Sequence, residues 1–321
     1  MTDASPASEI ARQSAAILQE VGRAVVGMDE PLNLAWATIL AGGNILFEDV
    51  PGVGKTLAAA SLATAIGLRF TRLQCTPDLL PGDITGSMIF DPRSQRFDFH
   101  PGPIFTGVLL ADEINRTGPK TQSALLEAMA EHQVSIDGSS HPLPRPFHLI
   151  ATANPVEYEG TYPLPEAQLD RFMTRLSVGY PRADQEVVVL SKRLARQAEA
   201  NPVNQVIDAQ QLIGLQKSVE SIKVDQDILT YCVDLVRATR ADPRVDVGAS
   251  PRGSLALMLL GRAIAAIDGR SFVQPEDVKR VAQAGLAHRL VLTPLAWADG
   301  TAPSSIIADA LERVPGPGVD R

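Results

Sequence analysis

The sequence predicts an α/β fold: a five-stranded parallel sheet covered by helices on both faces, followed by an all-helical region. Three observations carry this. Short apolar runs alternate with helix-patterned stretches through the first 183 residues, the signature of strands joined by helical crossovers. From about residue 184 onward only helical periodicities appear. Aromatic residues are only 5% of the chain while alanine and leucine are plentiful, which favours helices on a modest sheet over a β-sandwich. At 321 residues the chain is long for one core, and the change of pattern divides it into 1–183 and 184–321.

Residues 9–26 read as a helix with Ile10, Ile17, Leu18 and Val21 on one side, and 30–41 as a second. Residues 44–47 form a short apolar strand that enters the loop EDVPGVGKT. The alanine-rich stretch after Lys55 is helical, and Gly67 ends it. Residues 68–74 make the second strand. Pro, Gly and Asp recur through 76–106, a loop with one small hairpin built from Met88–Phe90 and Phe97–Phe99. The run 108–111 is continuously apolar, as in a buried parallel strand, and ends in Asp112-Glu113. A helix over 119–131 turns Leu125, Leu126 and Met129 inward, and 133–146 is a hairpin turning at Asp137-Gly138. Runs 147–151 and 175–178 complete the sheet. Asn201-Pro202, Asp242-Pro243 and Gln274-Pro275 break the helical region, and the final VPGPGVDR is expected to fray.

Bulk properties exclude several classes. The net charge of -8 argues against duplex binding over the whole surface, which needs clustered basic residues. The densest basic group, Lys192, Arg193 and Arg196, reads as a solvated helix face. Two distant cysteines without a C-x-x-C indicate neither a zinc ribbon nor a redox pair. The start lacks a signal-peptide pattern and no apolar run approaches a membrane span, so the expected location is the cytoplasm.

The chemistry begins at the glycine-rich loop, which ends as a phosphate-binding P-loop does, Gly54-Lys55-Thr56. The strict pattern asks for glycine at 49, where this chain has Asp49. The remaining positions Val50, Pro51, Gly52, Val53, Gly54, Lys55, Thr56 and Leu57 lie between an apolar strand and a helix, as the motif requires. Gly52 and Gly54 let backbone N–H groups approach phosphate oxygens, Lys55 adds a positive charge, and Thr56 offers a hydroxyl to magnesium. A dinucleotide pattern starting at Gly52 fails at Leu57. Asp112 is the strand-end acid that holds magnesium in such sites, and Glu113 is placed to orient an attacking water. IATANP, residues 150–155, brings Asn154 to the same sheet edge, a neutral amide able to orient the water or the γ-phosphate. Each piece alone also reads as an ordinary turn or acidic cap; together they point to ATP and Mg²⁺.

The chain resembles the MoxR family of AAA+ ATPases along nearly its whole length, through LFEDVPGVGKT, TPDLLPGDITGS, LLADEINRTGPKTQSALLEAM, IATANP, YPLPEAQLDRF and GASPRGSLAL. An acidic residue at the first P-loop position is usual in this family, so Asp49 is no departure from it. The resemblance implies an AAA+ core with inserted hairpins near 84–99 and 133–146, a helical lid, and a homo-oligomeric ring, usually hexameric, with ATP between subunits. It also implies that Arg171 points at a neighbour's γ-phosphate and that Arg252 is the lid arginine that senses nucleotide; an exposed structural arginine is the alternative for each. Arg116, Arg175 and Glu166 lie near these motifs without a defined role. Partners carrying von Willebrand factor A domains, and help with metal-cofactor insertion or complex maturation, are further implications. The rivals are a chelatase or helicase motor subunit, and a nucleotide-sensing scaffold with little turnover. Glu113, Asn154 and Arg171 together speak against the scaffold.

Overall fold

A computed structural model describes residues 6–155, 160–197 and 203–318; the break expected at Asn201-Pro202, the side chain of Arg196 and the last three residues of the tail lie outside them. The elements run α1 (Pro6–Ala24), α2 (Asp29–Leu40), β1 (Ile45–Glu48), α3 (Lys55–Ala65), β2 (Phe70–Gln74), α4 (Pro81–Thr85), β3 (Gly86–Asp91), β4 (Arg96–Pro101), β5 (Val108–Asp112), α5 (Pro119–Glu131), β6 (Gln133–Ile136), β7 (Ser139–Pro142), β8 (His148–Ala153), α6 (Glu166–Leu169) and β9 (Thr174–Leu176). They continue through α7 (Ala183–Arg196), α8 (Ala209–Val219), α9 (Gln226–Arg240), β10 (Val245–Val247), α10 (Pro251–Ile267), α11 (Pro275–Leu286), β11 (Val291–Leu292), α12 (Pro294–Ala298) and α13 (Pro303–Arg313).

The five expected strands form one parallel sheet in the order β2-β5-β8-β1-β9. Its central strands are mostly apolar because both faces are covered, with His148, Thr152 and the strand-end acids Glu48 and Asp112 as the exceptions, and successive side chains point to opposite faces. Ile45, Phe47, Val108, Leu110 and Ile150 join one apolar cluster, with α1, α2, α3 and α8–α11. Leu46, Leu109, Ala111, Leu149 and Ala151 join the other, with α4, α5 and β6. Ile10, Ile17 and Val21 of α1 are fully buried, as their spacing predicts, and pack with the same cluster as the helices after residue 184.

Both inserted hairpins are present. Met88 pairs with Phe99 and Phe90 with Phe97 in β3–β4. Asp137 and Gly138 both have positive φ at the β6–β7 turn, which an Asp-Gly pair adopts readily. Two features differ from expectation. The Pro-Gly-Asp stretch contains the single-turn helix α4. The helical region also carries the antiparallel ribbon β10–β11, too short to leave a periodicity. The tail from Val314 to Gly318 has no regular structure, although Gly316 approaches Pro275 and Lys279. Cys75 and Cys232 are buried free thiols, each pushed up to about 12 by burial, so neither is poised for reaction.

Candidate nucleotide site

The parallel sheet delivers β1, β5 and β8 to one edge, where the loops after them meet. Gly52 and Gly54 sit there with φ of 81° and 92°, values that a side chain would strain. Gly54 caps α3, so the loop ends on a helix N-terminus, with its unpaired N–H groups and favourable dipole for an anion. A Cβ at Gly52 would meet nothing within 4 Å, leaving open space against the loop backbone. Lys55 is buried, and its amine donates to the carbonyls of Asp49 (2.7 Å) and Val50 (3.1 Å). Burial holds its pKa below the usual lysine value, against the pull of Asp49, Asp112 and Glu113.

Asp49 turns away from the phosphate-facing arc. One carboxylate oxygen accepts the Val50 N–H (2.8 Å). The other accepts the N–H groups of Val178 and Gly179 (2.6 Å) and the Ser177 hydroxyl (3.0 Å). Asp49 is thus a clasp between the start of the loop and the chain leaving β9. The strand ends at Leu176, short of the expected Val178, whose own N–H is committed to this carboxylate.

Asp112 ends β5 and Glu113 follows it. The Asp112 carboxylate accepts the Thr152 hydroxyl (2.7 Å) on one oxygen and Arg72 (3.0 and 2.6 Å) on the other. Thr152 in turn accepts the Glu113 N–H (2.8 Å), so one β8 hydroxyl fixes both acids. Glu113 has φ 58° and ψ 52°, a left-handed conformation that costs a non-glycine residue about 1–2 kcal/mol and re-aims the side chain off the strand. Its carboxylate accepts the Gln74 amide (3.0 Å) and Arg116 (3.1 Å). Asn154 is buried just past β8, beside the Asp49 N–H that donates to Ala153.

Arg171 and Arg252 lie at the other end of the sheet. Both border a cavity of about 240 Å³ that also touches Asn44, the residue before β1. Five residues of extended chain separate Asn44 from Asp49, roughly 17 Å at the rise of a strand. Arg171 donates to the Leu126 carbonyl (2.8 Å), and Arg252 lies 3.9 Å from Asp170. Within one chain neither joins the loop. Arg175 pairs with Glu48 at the end of β1 (2.8 Å), and Glu166 opens α6 on the surface.

A cavity of about 440 Å³ adjoins the loop, walled by Val25, Gly27, Met28, Val178, Tyr180 and Pro181 together with Pro51, Val53 and Leu57. Its size and apolar walls suit a nucleotide base beside the phosphate loop. These wall residues, like Thr152 and Arg72, carry no motif; they come together only once the chain after α1 and the chain after β9 meet. The donors available to a metal, the Thr56 hydroxyl and Asp112, are hard oxygens. Among the described residues no group of three or more His, Cys, Asp or Glu side chains forms a protein-only metal site. That combination fits magnesium, which takes few protein ligands and completes its shell with phosphate and water.

Comparison with known proteins agrees with this fold. Residues 44–174 match the family described as ATPases associated with various cellular activities, and 237–310 match the AAA lid domain. The chain is 46% identical over 300 residues to YeaC of Bacillus subtilis, an uncharacterized protein, covering 92% of each. It is 41% identical over 310 residues to the chaperone MoxR1 of Mycobacterium tuberculosis, covering 94% of this chain and 81% of that one. A crystal structure from Cytophaga hutchinsonii, assigned as an ATPase, superposes with a TM-score of 0.90 at 36% identity, covering 98% of this chain and 97% of that one.

Proposed function

The chain belongs to the MoxR family of AAA+ ATPases, and from that membership we propose that it is a ring-forming, chaperone-like motor whose hydrolytic sites are shared between neighbouring copies. Residues 1–183 form the nucleotide-binding part and 184–321 the lid. The loop backbone from Val50 to Gly54 and the Lys55 ammonium hold the phosphates, and the cavity lined by Val25 and Tyr180 takes the base. Thr56 and Asp112 would hold magnesium, whose chemistry there is to neutralise charge on the β and γ phosphates. Glu113 accepts a hydrogen bond from the attacking water and polarises it, and Asn154 keeps that water in line.

The observation that carries the shared site is the separation of parts. Lys55, Asp112 and Glu113 lie at the C-terminal end of the parallel strands, while Arg171 and Arg252 border a cavity at the other end. A closed ring in which each copy offers its arginine face to the next copy's loop completes every site. Six copies, clients with von Willebrand factor A domains, and a role in cofactor insertion or complex maturation belong to the proposal through the family resemblance. No helix among the described residues is long and apolar enough to cross a membrane, and the proposed location is the cytoplasm.

Two variants test the assignment. Lys55→Ala should lose most ATP affinity in a calorimetric titration, because the phosphates lose their buried point charge. Glu113→Gln should bind ATP as wild type does and release almost no phosphate over time. Unchanged affinity in the first, or near-normal turnover in the second, sinks the corresponding assignment.

A further inference from the structure

Arg72 is not part of any motif, yet it makes a close ion pair with the acid assigned to magnesium. It stands on β2, an edge strand, opposite Leu110 of β5. Its Nε and Nη2 reach Asp112 Oδ2 at 3.0 and 2.6 Å, and Nη2 also reaches Gln74 Oε1 at 3.0 Å. The Thr152 hydroxyl occupies Oδ1 at 2.7 Å. Both carboxylate oxygens are therefore engaged. The two grips differ in how easily they let go. Thr152 is buried on a central strand, whereas the Arg72 side chain is 51% exposed and can swing into water without moving the backbone.

We propose that Arg72 is a positioning residue that serves as the counter-ion of Asp112 when magnesium is away and yields that carboxylate oxygen when the metal arrives. The inference rests on the reading that Thr56 and Asp112 hold magnesium. A guanidinium and a divalent cation cannot share one carboxylate oxygen at contact distance without repelling each other. Arg72 therefore weakens metal binding while keeping Asp112 aimed and paired between turnovers. Its effect falls on metal affinity and not on the phosphates, which Lys55 and the loop backbone hold.

The test uses the whole protein and a non-hydrolysable ATP analogue. Analogue affinity is measured by calorimetry in EDTA and again in saturating Mg²⁺, and the ratio of the two affinities reports the metal's contribution. Arg72→Met should raise that ratio about five-fold, the coupling of a half-exposed ion pair, and leave the EDTA affinity unchanged. Arg72→Gln should do the same, and Arg72→Lys should restore the wild-type ratio. A purely structural arginine would change both affinities together and leave the ratio fixed. A ratio that is unchanged or lower in both neutral variants overturns the inference alone. A ratio of one in wild type overturns the magnesium reading, and this inference with it.

Discussion

Replacing Asp49 by glycine restores the strict P-loop pattern and should damage the protein. The carboxylate accepts four hydrogen bonds, from the N–H groups of Val50, Val178 and Gly179 and from the Ser177 hydroxyl. Hydrogen bonds to a charged group contribute about 1.5–3 kcal/mol each, but they do not add. The Val50 N–H and the Ser177 hydroxyl can turn toward water, which leaves the Val178 and Gly179 N–H groups as the costly losses. Asp49→Gly should therefore destabilise by about 3–5 kcal/mol, with part of it from the added backbone freedom of glycine. Asp49→Asn keeps an amide oxygen facing the same N–H groups and should cost about 1–2 kcal/mol. Urea unfolding followed by circular dichroism measures both, at constant m-value. Nucleotide affinity should fall in parallel, because Val178 and Tyr180 wall the adjoining cavity. Burial pushes the Asp49 pKa up, but the Gly179, Val178 and Val50 N–H groups and the Ser177 hydroxyl outweigh it and hold it below the usual value. The stabilisation is then present above the ordinary carboxylate range and is lost as pH falls through the lowered folded value, a loss that the Asn variant should not show. An Asp49→Gly protein within 1 kcal/mol of wild type, or one that binds ATP better, would refute the clasp.

Thr152→Val removes the hydroxyl that fixes both acids. It should bind ATP normally and lose about 10–100-fold in turnover, read by phosphate release, the usual cost of losing a group that orients a metal-holding carboxylate. His148 is wholly buried between the Gly43 carbonyl and Gln216, and burial pushes its pKa down to about 4. The unfolded chain takes up this proton first, so stability should fall as pH drops from about 6.5 toward 4, by about 3 kcal/mol from this group. His148→Gln should remove about half of the histidine-derived slope in unfolding measured across the range. His288, pushed down to about 3 chiefly by burial, acts with the same sign and supplies the residual slope.

The sheet was legible because its central strands are apolar on both faces and are bounded by turn-forming residues, a pattern that survives without any tertiary information. Lys55, Asp112, Glu113 and Asn154 were legible because each follows such a strand, and parallel strands deliver their ends to one edge. Other features are set by contacts between distant segments. Arg72 and Gln74 lie on an edge strand that mixes apolar and polar residues, and nothing local ties them to Asp112 and Glu113. The family resemblance makes an acid at 49 ordinary, but what the acid does is visible only with its partners 128 to 130 residues away. The base cavity forms between the turn after α1 and the chain after β9, neither of which carries a recognisable spacing. The roles of Arg171 and Arg252 came from resemblance alone, and their distance from the loop within one chain is a tertiary fact.

The central claim is that one copy's arginine completes its neighbour's site, and mixing two inactive variants tests it directly. Arg171→Ala has a sound site and no arginine to offer, while Glu113→Gln has a sound arginine and a dead site. Arginines supplied across an interface contribute about 10³ to 10⁵ in rate in other phosphoryl-transfer systems, so each variant alone should be nearly silent. After subunit exchange, confirmed by tagged pull-down, some interfaces set the intact site of one variant against the intact arginine of the other. The mixture should then hydrolyse ATP faster than either protein alone, with a maximum near equal proportions. Confirmed exchange with activity flat at every mixing ratio would contradict the shared site.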